Sequence, residues 1–317
     1  MKETILTNGY TSLPVVDLPQ LDAAAFVSWF KANREQMEEK LDTYGALKFS
    51  GVRIRDLETF REIVESISEK FLNYIDGNSP RTKLSGTVYT STEYDKSARI
   101  TMHNELSYSA VWPGKLFFSC LQPAETGGET LLADSRAILD RMDKTITENV
   151  SRRGITYIRN LHGGRGIGPS WQDTFETGDK DKLEEYCRSY GISFEWRKGD
   201  HLRLVQPSKG IIRHRKSGVS TWFNQIDQFH PSHLDKEVYE GLMALYDSPS
   251  DFPIFVTFGD GREIDEATVA DILRTTAEVT LSPVWHADEL LIVDNELVSH
   301  GRNSYTGDRK VLVSMSE

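Results

Sequence analysis

The chain has 317 residues, of which 38% are hydrophobic and 27% charged, and its mean hydropathy is −0.45, a profile of a folded globular protein and not of a disordered one. A formal net charge of −11 argues against a general nucleic-acid surface, which needs clustered Lys and Arg. No run of about 18 apolar residues offers a membrane span, and the N-terminus lacks the apolar stretch of a secretory signal. Cys120 and Cys187 lie far apart and form no CxxC pair, so a cysteine-bound zinc is disfavoured and a reducing cytoplasm is the expected location.

Leu21, Ala24, Ala25, Phe26, Trp29 and Phe30 recur at helical spacing, and Met37 and Leu41 extend that stripe to Tyr44, where Gly45 ends it. Ala46–Phe49 reads as a short strand, and a second helix is predicted from an Asp56 N-cap to Leu72. After Asn78-Ser79-Pro80 the character changes to short β-prone runs between turn residues. These are Thr87–Thr90, Lys115–Leu121, Thr130–Ala133, Gly154–Arg159, His201–Val205, Gly210–Arg213, Thr221–Asn224, Leu281–Trp285, Glu289–Asp294 and Lys310–Met315. Helices are predicted at about Ser135–Arg152, Asp179–Tyr190, His233–Asp247 and Asp265–Glu278. Many short strands with inserted helices imply a mixed α+β chain with a closed or sandwiched β-core under a helical cover. A doubly wound parallel sheet is disfavoured, because strands and helices do not alternate and no GxGxxG follows an early strand.

Two histidines and one carboxylate on one face of an iron leave three positions for a bidentate 2-oxo acid and dioxygen. The sequence form of that triad is His-x-Asp/Glu followed by a distant His. Three pairs qualify: His103-Asn-Glu105, His233-Leu-Asp235 and His286-Ala-Asp288. Asp235 falls in the first turn of a predicted helix, where an acid serves the helix dipole. His286 and Asp288 form a polar turn that could combine with His300, and residues alone leave this rival open. An extended segment around His103 would point His103 and Glu105 to the same side of a strand. The stretch Leu290–Val313 reads strand, turn, His300, glycine-bearing loop, Arg309, strand, so a hairpin could return Arg309 to His300. An Arg fork pairs two carboxylate oxygens at once; a lone surface Arg is the plain alternative.

Together these segments resemble the TauD/TfdA family of Fe(II)/2-oxoglutarate dioxygenases, in its SyrP-like and clavaminate-synthase-like branch. The resemblance runs from about Thr82 to Met315. It rests on His103-Asn-Glu105-Leu-Ser-Tyr, Pro123-Ala-Glu-Thr-Gly-Gly-Glu-Thr130, Thr221-Trp-Phe-Asn-Gln225 and Asp294-Asn295…His300-Gly-Arg…Arg309. It implies Fe(II), 2-oxoglutarate and O2 as cofactors, with His103, Glu105 and His300 as metal ligands. It further implies that Arg309 anchors the distal carboxylate of 2-oxoglutarate and that Thr130 assists there. Many family members carry Asp where this chain has Glu105, and Glu occurs in the branch named. A carboxylate at that position implies hydroxylation over halogenation, since a small residue would have opened a halide position.

The implied fold is a double-stranded β-helix, or jelly roll, with helices packed outside, in one catalytic domain spanning 1–317. A helical insertion near 160–200 is expected between the two halves of the metal motif. Implied substrates are amino acids or amino-acid-derived small molecules, free or on a peptidyl carrier protein, with no nucleic acid and no membrane as partners. Arg99, Asn104, Trp222, Asn224 and Arg302 are candidate substrate contacts. Four of them have a named structural alternative: surface charge for Arg99, an outward-facing amide for Asn104, core packing for Trp222, and bracing of the hairpin for Arg302. Desaturation on the same scaffold, or a metal-binding β-barrel without turnover, are the competing functions.

Overall fold

Strict alternation of apolar side chains lets one large sheet serve two cores at once. The computed structural model describes residues 2–73, 75–77, 83–90 and 94–317; the Asn78-Ser79-Pro80 boundary and Thr82 lie outside them. The large sheet has eight strands in the order Lys2–Thr7, Ser12–Leu21, Ala46–Val52, Glu289–Asp294, Lys115–Gln122, Lys310–Ser316, Val88–Thr90 and Lys83–Ser85. Its pairings are antiparallel apart from the parallel contact of Ser12–Leu21 with Ala46–Val52.

One face of that sheet presents Leu116, Phe118, Leu291, Val293, Val311 and Val313 to the same core as Leu131, Leu132, Ala133 and Val298 of a second sheet. The opposite face presents Phe117, Leu290, Ile292 and Leu312 to Phe26, Phe30, Met37, Leu41, Phe60 and Ile63. Those partners sit on the helices Ala23–Ala32, Arg34–Tyr44 and Leu57–Ile67, so residues of odd and even number along each strand have different neighbours. Each fully buried Leu, Ile or Phe contributes about 1.5–3 kcal/mol, so a one-residue slip would forfeit both cores together.

The second sheet has three strands, with Val298–Arg302 between Ile100–His103 and Thr130–Asp134. A further four-stranded sheet, ordered Ser193–Arg197, His201–Ser208, Ile155–Leu161 and Ile254–Phe258, lies between the two halves of the metal motif in sequence. The stretch expected as helical near 160–200 does hold the helices Trp171–Thr174 and Lys180–Ser189. It also supplies strand Ser193–Arg197, and Trp171, Phe175, Leu183 and Cys187 pack with Leu161, Leu202 and Leu204 in a small core of their own. Arg159 of this sheet is fully buried and pairs with Asp76, whose backbone carbonyl accepts a further bond at 3.1 Å.

Some predicted elements differ. The first helical stripe breaks into two helices at Asn33, and Gly45 stops the second with φ 72°. Asp143 caps a separate helix, Lys144–Arg153, by accepting from Thr145 N at 2.7 Å, which divides the predicted Ser135–Arg152 helix. Leu281–Trp285 is not a strand: only Leu281 bridges to Leu132, and Pro283 has no N–H with which to continue the ladder. Both cysteines are buried and free. Among the described residues no helix is long and apolar enough to cross a membrane.

Candidate metal centre

Strand register brings the two distant histidines together. His300 is paired with His103 on one side and with Leu132 on the other, so residues 197 positions apart lie side by side on one face. Their ring centroids are 4.3 Å apart, and the Phe118 ring of the large sheet lies 5.3 Å from His300. Nitrogen or oxygen atoms of His103, Glu105 and His300 all fall within 4.8 Å of one another, and all three side chains are buried.

Glu105 reaches the cluster by a route the sequence did not disclose. The strand ends at His103, so Glu105 does not alternate with it along an extended segment. Instead it begins a turn clamped by Asn295, which accepts from Glu105 N at 2.7 Å and donates to Glu105 O at 3.0 Å. The same amide donates to Pro113 O at 2.9 Å. This asparagine lies between strands Glu289–Asp294 and Val298–Arg302, so one turn positions both the carboxylate and the strand bearing His300.

The donor set suits a divalent ion. His103 Nδ1 donates to Thr101 O at 2.9 Å, which fixes the tautomer and leaves a lone pair on Nε2. Thr101 O also accepts from Gln228 Nε2 at 3.1 Å. His300 Nε2 lies 3.5 Å from Glu105 Oε2, longer than an ordinary hydrogen bond and within the span of two atoms on one ion with bonds of about 2.1 Å. His300 Nδ1 is buried without a hydrogen-bond partner among the described residues. Two imidazoles and one carboxylate form the facial donor set of non-haem iron. Asp227, buried and bonded to the Thr101 side chain, has its carboxyl pushed up to about 6 by burial.

Arg309 and Thr130 lie along the neighbouring strand edge. Thr130 is paired with Arg302, two residues from the His300–Leu132 pair. Arg309 Nε donates to Gly128 O at 2.8 Å, and burial pulls its guanidinium down to about 10, which leaves it a cation at neutral pH. Gly128 has φ 73°, and a Cβ there would lie 3.0 Å from Arg309 Cδ and 3.1 Å from Ala124 Cβ. The glycine thus admits the arginine as well as the turn. The route to Arg309 is not the single hairpin expected: Tyr305–Thr306 pairs with Thr126–Gly127 before Lys310–Ser316 joins the large sheet.

The five substrate candidates fare differently. Asn104 donates to Asn295 O at 2.7 Å and to Ser135 Oγ at 3.2 Å, so its amide braces the turn. Trp222 is buried in the main core, and Asn224 donates to Gly210 O at 2.9 Å and accepts from Ile226 N. Arg302 donates to the carbonyls of Tyr94, Asp95 and Ala98, bracing the loop before strand Ile100–His103. Of the five, Arg99 alone is exposed, one residue before that strand. Neither rival pair joins the cluster: His286 is exposed with its N–H on Glu289 Oε2, and His233 Nδ1 bonds His230 O.

Two histidines and a glutamate brought together on these sheets form a group that could hold a metal ion. The chain belongs to the TauD/TfdA dioxygenase family: the family described as "Taurine catabolism dioxygenase TauD, TfdA family" matches residues 11–315. It is 35% identical over 279 residues to the dapdiamide synthesis protein DdaC of Enterobacter agglomerans, covering 88% of this chain and 84% of that protein. To a clavaminate synthase-like protein of Arabidopsis thaliana it is 29% identical over 308 residues, covering 95% and 90%. The fold resembles that of PvcB from Pseudomonas aeruginosa at a TM-score of 0.55, with 13% identity over 99% of this chain and 90% of the other. It also resembles AAD-2 in complex with Mn(II) and N-oxalylglycine at 0.53, with 15% identity over 99% and 97%. The protein is an Fe/2-oxoglutarate-dependent oxygenase of this family, with iron, 2-oxoglutarate and O2 as its cofactors.

Proposed function

We propose that the enzyme hydroxylates an unactivated C–H bond of an amino acid or amino-acid-derived small molecule, free or carrier-bound, in specialised metabolism. The observation that carries this reading is the buried convergence of His103, Glu105 and His300 beside Thr130 and Arg309. In it, the three side chains hold Fe(II), Arg309 pairs with the distal carboxylate of 2-oxoglutarate, and Thr130 contacts the same co-substrate. The two facing sheets are read as a double-stranded β-helix. When bound, iron and 2-oxoglutarate supply O2 activation coupled to release of succinate and carbon dioxide.

The chain's own residues set the conditions for that chemistry. Thr101 O holds His103 in the tautomer whose Nε2 is a donor to metal. The Phe118 ring, 5.3 Å from that of His300, and the buried strand around His300 put apolar surface against that side of the site. Glu105 occupies the third ligand position, which leaves no place there for a halide and favours hydroxylation over halogenation. DdaC is named for dapdiamide synthesis, and PvcB is described as an oxygenase from an isonitrile synthetic pathway; both names support small-molecule tailoring.

Succinate release tests this. Fe(II)-loaded enzyme with 2-oxoglutarate and O2, offered a panel of free amino acids, small amines and aminoacylated carrier proteins, is expected to couple succinate to a product 16 mass units heavier, the mass of one oxygen atom. A product two mass units lighter identifies desaturation instead. Iron binding with no succinate from any panel member contradicts the proposed substrate class.

A further inference from the structure

We infer that Trp285 is a positioning residue for the co-substrate: its indole N–H fixes the Thr130 hydroxyl as a donor aimed at the 2-oxoglutarate anion. This rests on the reading above that Thr130 and Arg309 hold that molecule. Trp285 Nε1 lies 2.9 Å from Thr130 Oγ, and both residues are buried. An indole N–H can only donate, so the threonine oxygen accepts and its own proton must go elsewhere. No acceptor among the described residues takes that proton, although Thr130 is only 4% exposed. A buried hydroxyl in that state presents a proton to an incoming anion; left to rotate, it could instead turn a lone pair toward the carboxylate.

The tryptophan is itself held in place. Lys48 Nζ, buried in the large sheet, donates to Val284 O at 2.7 Å and forms a 2.7 Å ion pair with Glu289. That ammonium also lies 5.4 Å from the centre of the Trp285 ring. Glu289 Oε2 accepts from His286 N at 2.8 Å, so the residues on both sides of Trp285 are tied to one buried ion pair. The segment departs from strand geometry, and the departure delivers the indole to Thr130. On the other side of the glycine turn, Arg309 Nε occupies Gly128 O, which leaves the hydroxyl and the guanidinium on one stretch of backbone two residues apart.

Calorimetric titration of 2-oxoglutarate into Mn(II)-loaded protein measures this without turnover. Trp285→Phe keeps the ring and removes the donor. It should weaken 2-oxoglutarate binding about fivefold, the effect of one neutral hydrogen bond, with Mn(II) affinity unchanged. Thr130→Val should weaken it at least as much, Thr130→Ser should bind like wild type, and Trp285→Phe should add nothing in the Thr130→Val background. An unchanged dissociation constant in Trp285→Phe, or the same loss in both backgrounds, overturns the inference. Arg309→Met separates the two readings. If it abolishes binding while Trp285→Phe does nothing, only the role of Trp285 fails; if it too has no effect, the co-substrate site is elsewhere. Should Trp285→Phe not fold, exchange of the indole protons with solvent carries the test in Zn(II)-loaded protein. 2-Oxoglutarate should slow one of them in wild type and Thr130→Ser and not in Thr130→Val; no slowing in wild type counts against the inference.

Discussion

The three-stranded sheet and the four-stranded sheet of residues 155–258 both bury charged or ionisable side chains, and they dispose of them in opposite ways. In the four-stranded sheet, Arg159 pairs its charge with that of Asp76, and Tyr108 and Phe175 lie within 6.0 Å of the guanidinium, although Arg159 Nε and Asp76 Oδ2 have no further hydrogen-bond partner among the described residues. At the edge of the three-stranded sheet, His103, Glu105 and His300 converge, and His300 Nδ1 has no hydrogen-bond partner among the described residues. A buried cation and anion in contact cancel one another's charge and are part of the frame. A cluster whose donor atoms point at a common centre needs something that the protein does not supply. The two sheets should therefore respond to different perturbations.

The largest loss of stability should come from the charge-matched pair. Arg159→Ala leaves the Asp76 carboxyl buried without its cation, and urea unfolding should show a loss of about 3–5 kcal/mol, with metal affinity in the surviving folded protein close to wild type. Asn295→Ala should reverse that pattern. It removes both bonds that hold the Glu105 backbone, so metal affinity should fall about tenfold or more by direct titration, at a smaller cost of about 1–3 kcal/mol.

A third expected effect depends on pH. His214 donates to Asp294 at 3.1 Å, and that bond raises its pKa above the ordinary 6.5. Because the folded value lies above the unfolded one, the stabilisation is complete below about pH 6.5 and is lost as pH rises through the folded value. Asp294 also caps the turn that contains Asn295, accepting from Glu296 N and Leu297 N. Melting temperatures of wild type and His214→Gln should accordingly converge with rising pH; a gap that widens above neutrality contradicts this sign. The smallest effect belongs to Arg99→Ala. This exposed residue should change neither melting temperature nor 2-oxoglutarate affinity, and only the Michaelis constant for the organic substrate should move.

The parts of the fold that sequence discloses are those decided by local pattern. Glu289–Asp294 alternates between two cores and coincides with its predicted bounds, and Asp56 and Asp265 are caps that announce their helices. Strands Ile100–His103 and Val298–Arg302 carry the site and are absent from the predicted strands, since the alternation of Ile-Thr-Met-His spans only four residues and Val-Ser-His-Gly-Arg has a single apolar side chain; the extended segment considered around His103 ends two residues short of Glu105. Their pairing across nearly 200 residues makes them strands. His103, Glu105 and His300 were legible through motif order, yet the Asn295 clamp that brings Glu105 in was not, because a hydrogen bond between residues 190 apart leaves no local mark. Trp285 carried no signal beyond its hydrophobicity. Asn104, Trp222 and Asn224 stood near the right motifs, and only their bonding partners show that they brace the turn and fill the core.

The central claim is that one buried triad binds the iron. Anaerobic addition of Fe(II) and 2-oxoglutarate, followed by visible absorption, tests it most directly. Wild type and His286→Ala should develop the weak charge-transfer band of a chelated oxo acid, and His103→Ala should not. A band retained in His103→Ala and lost in His286→Ala would contradict the assignment and place the metal on the other side of the Asp288 turn.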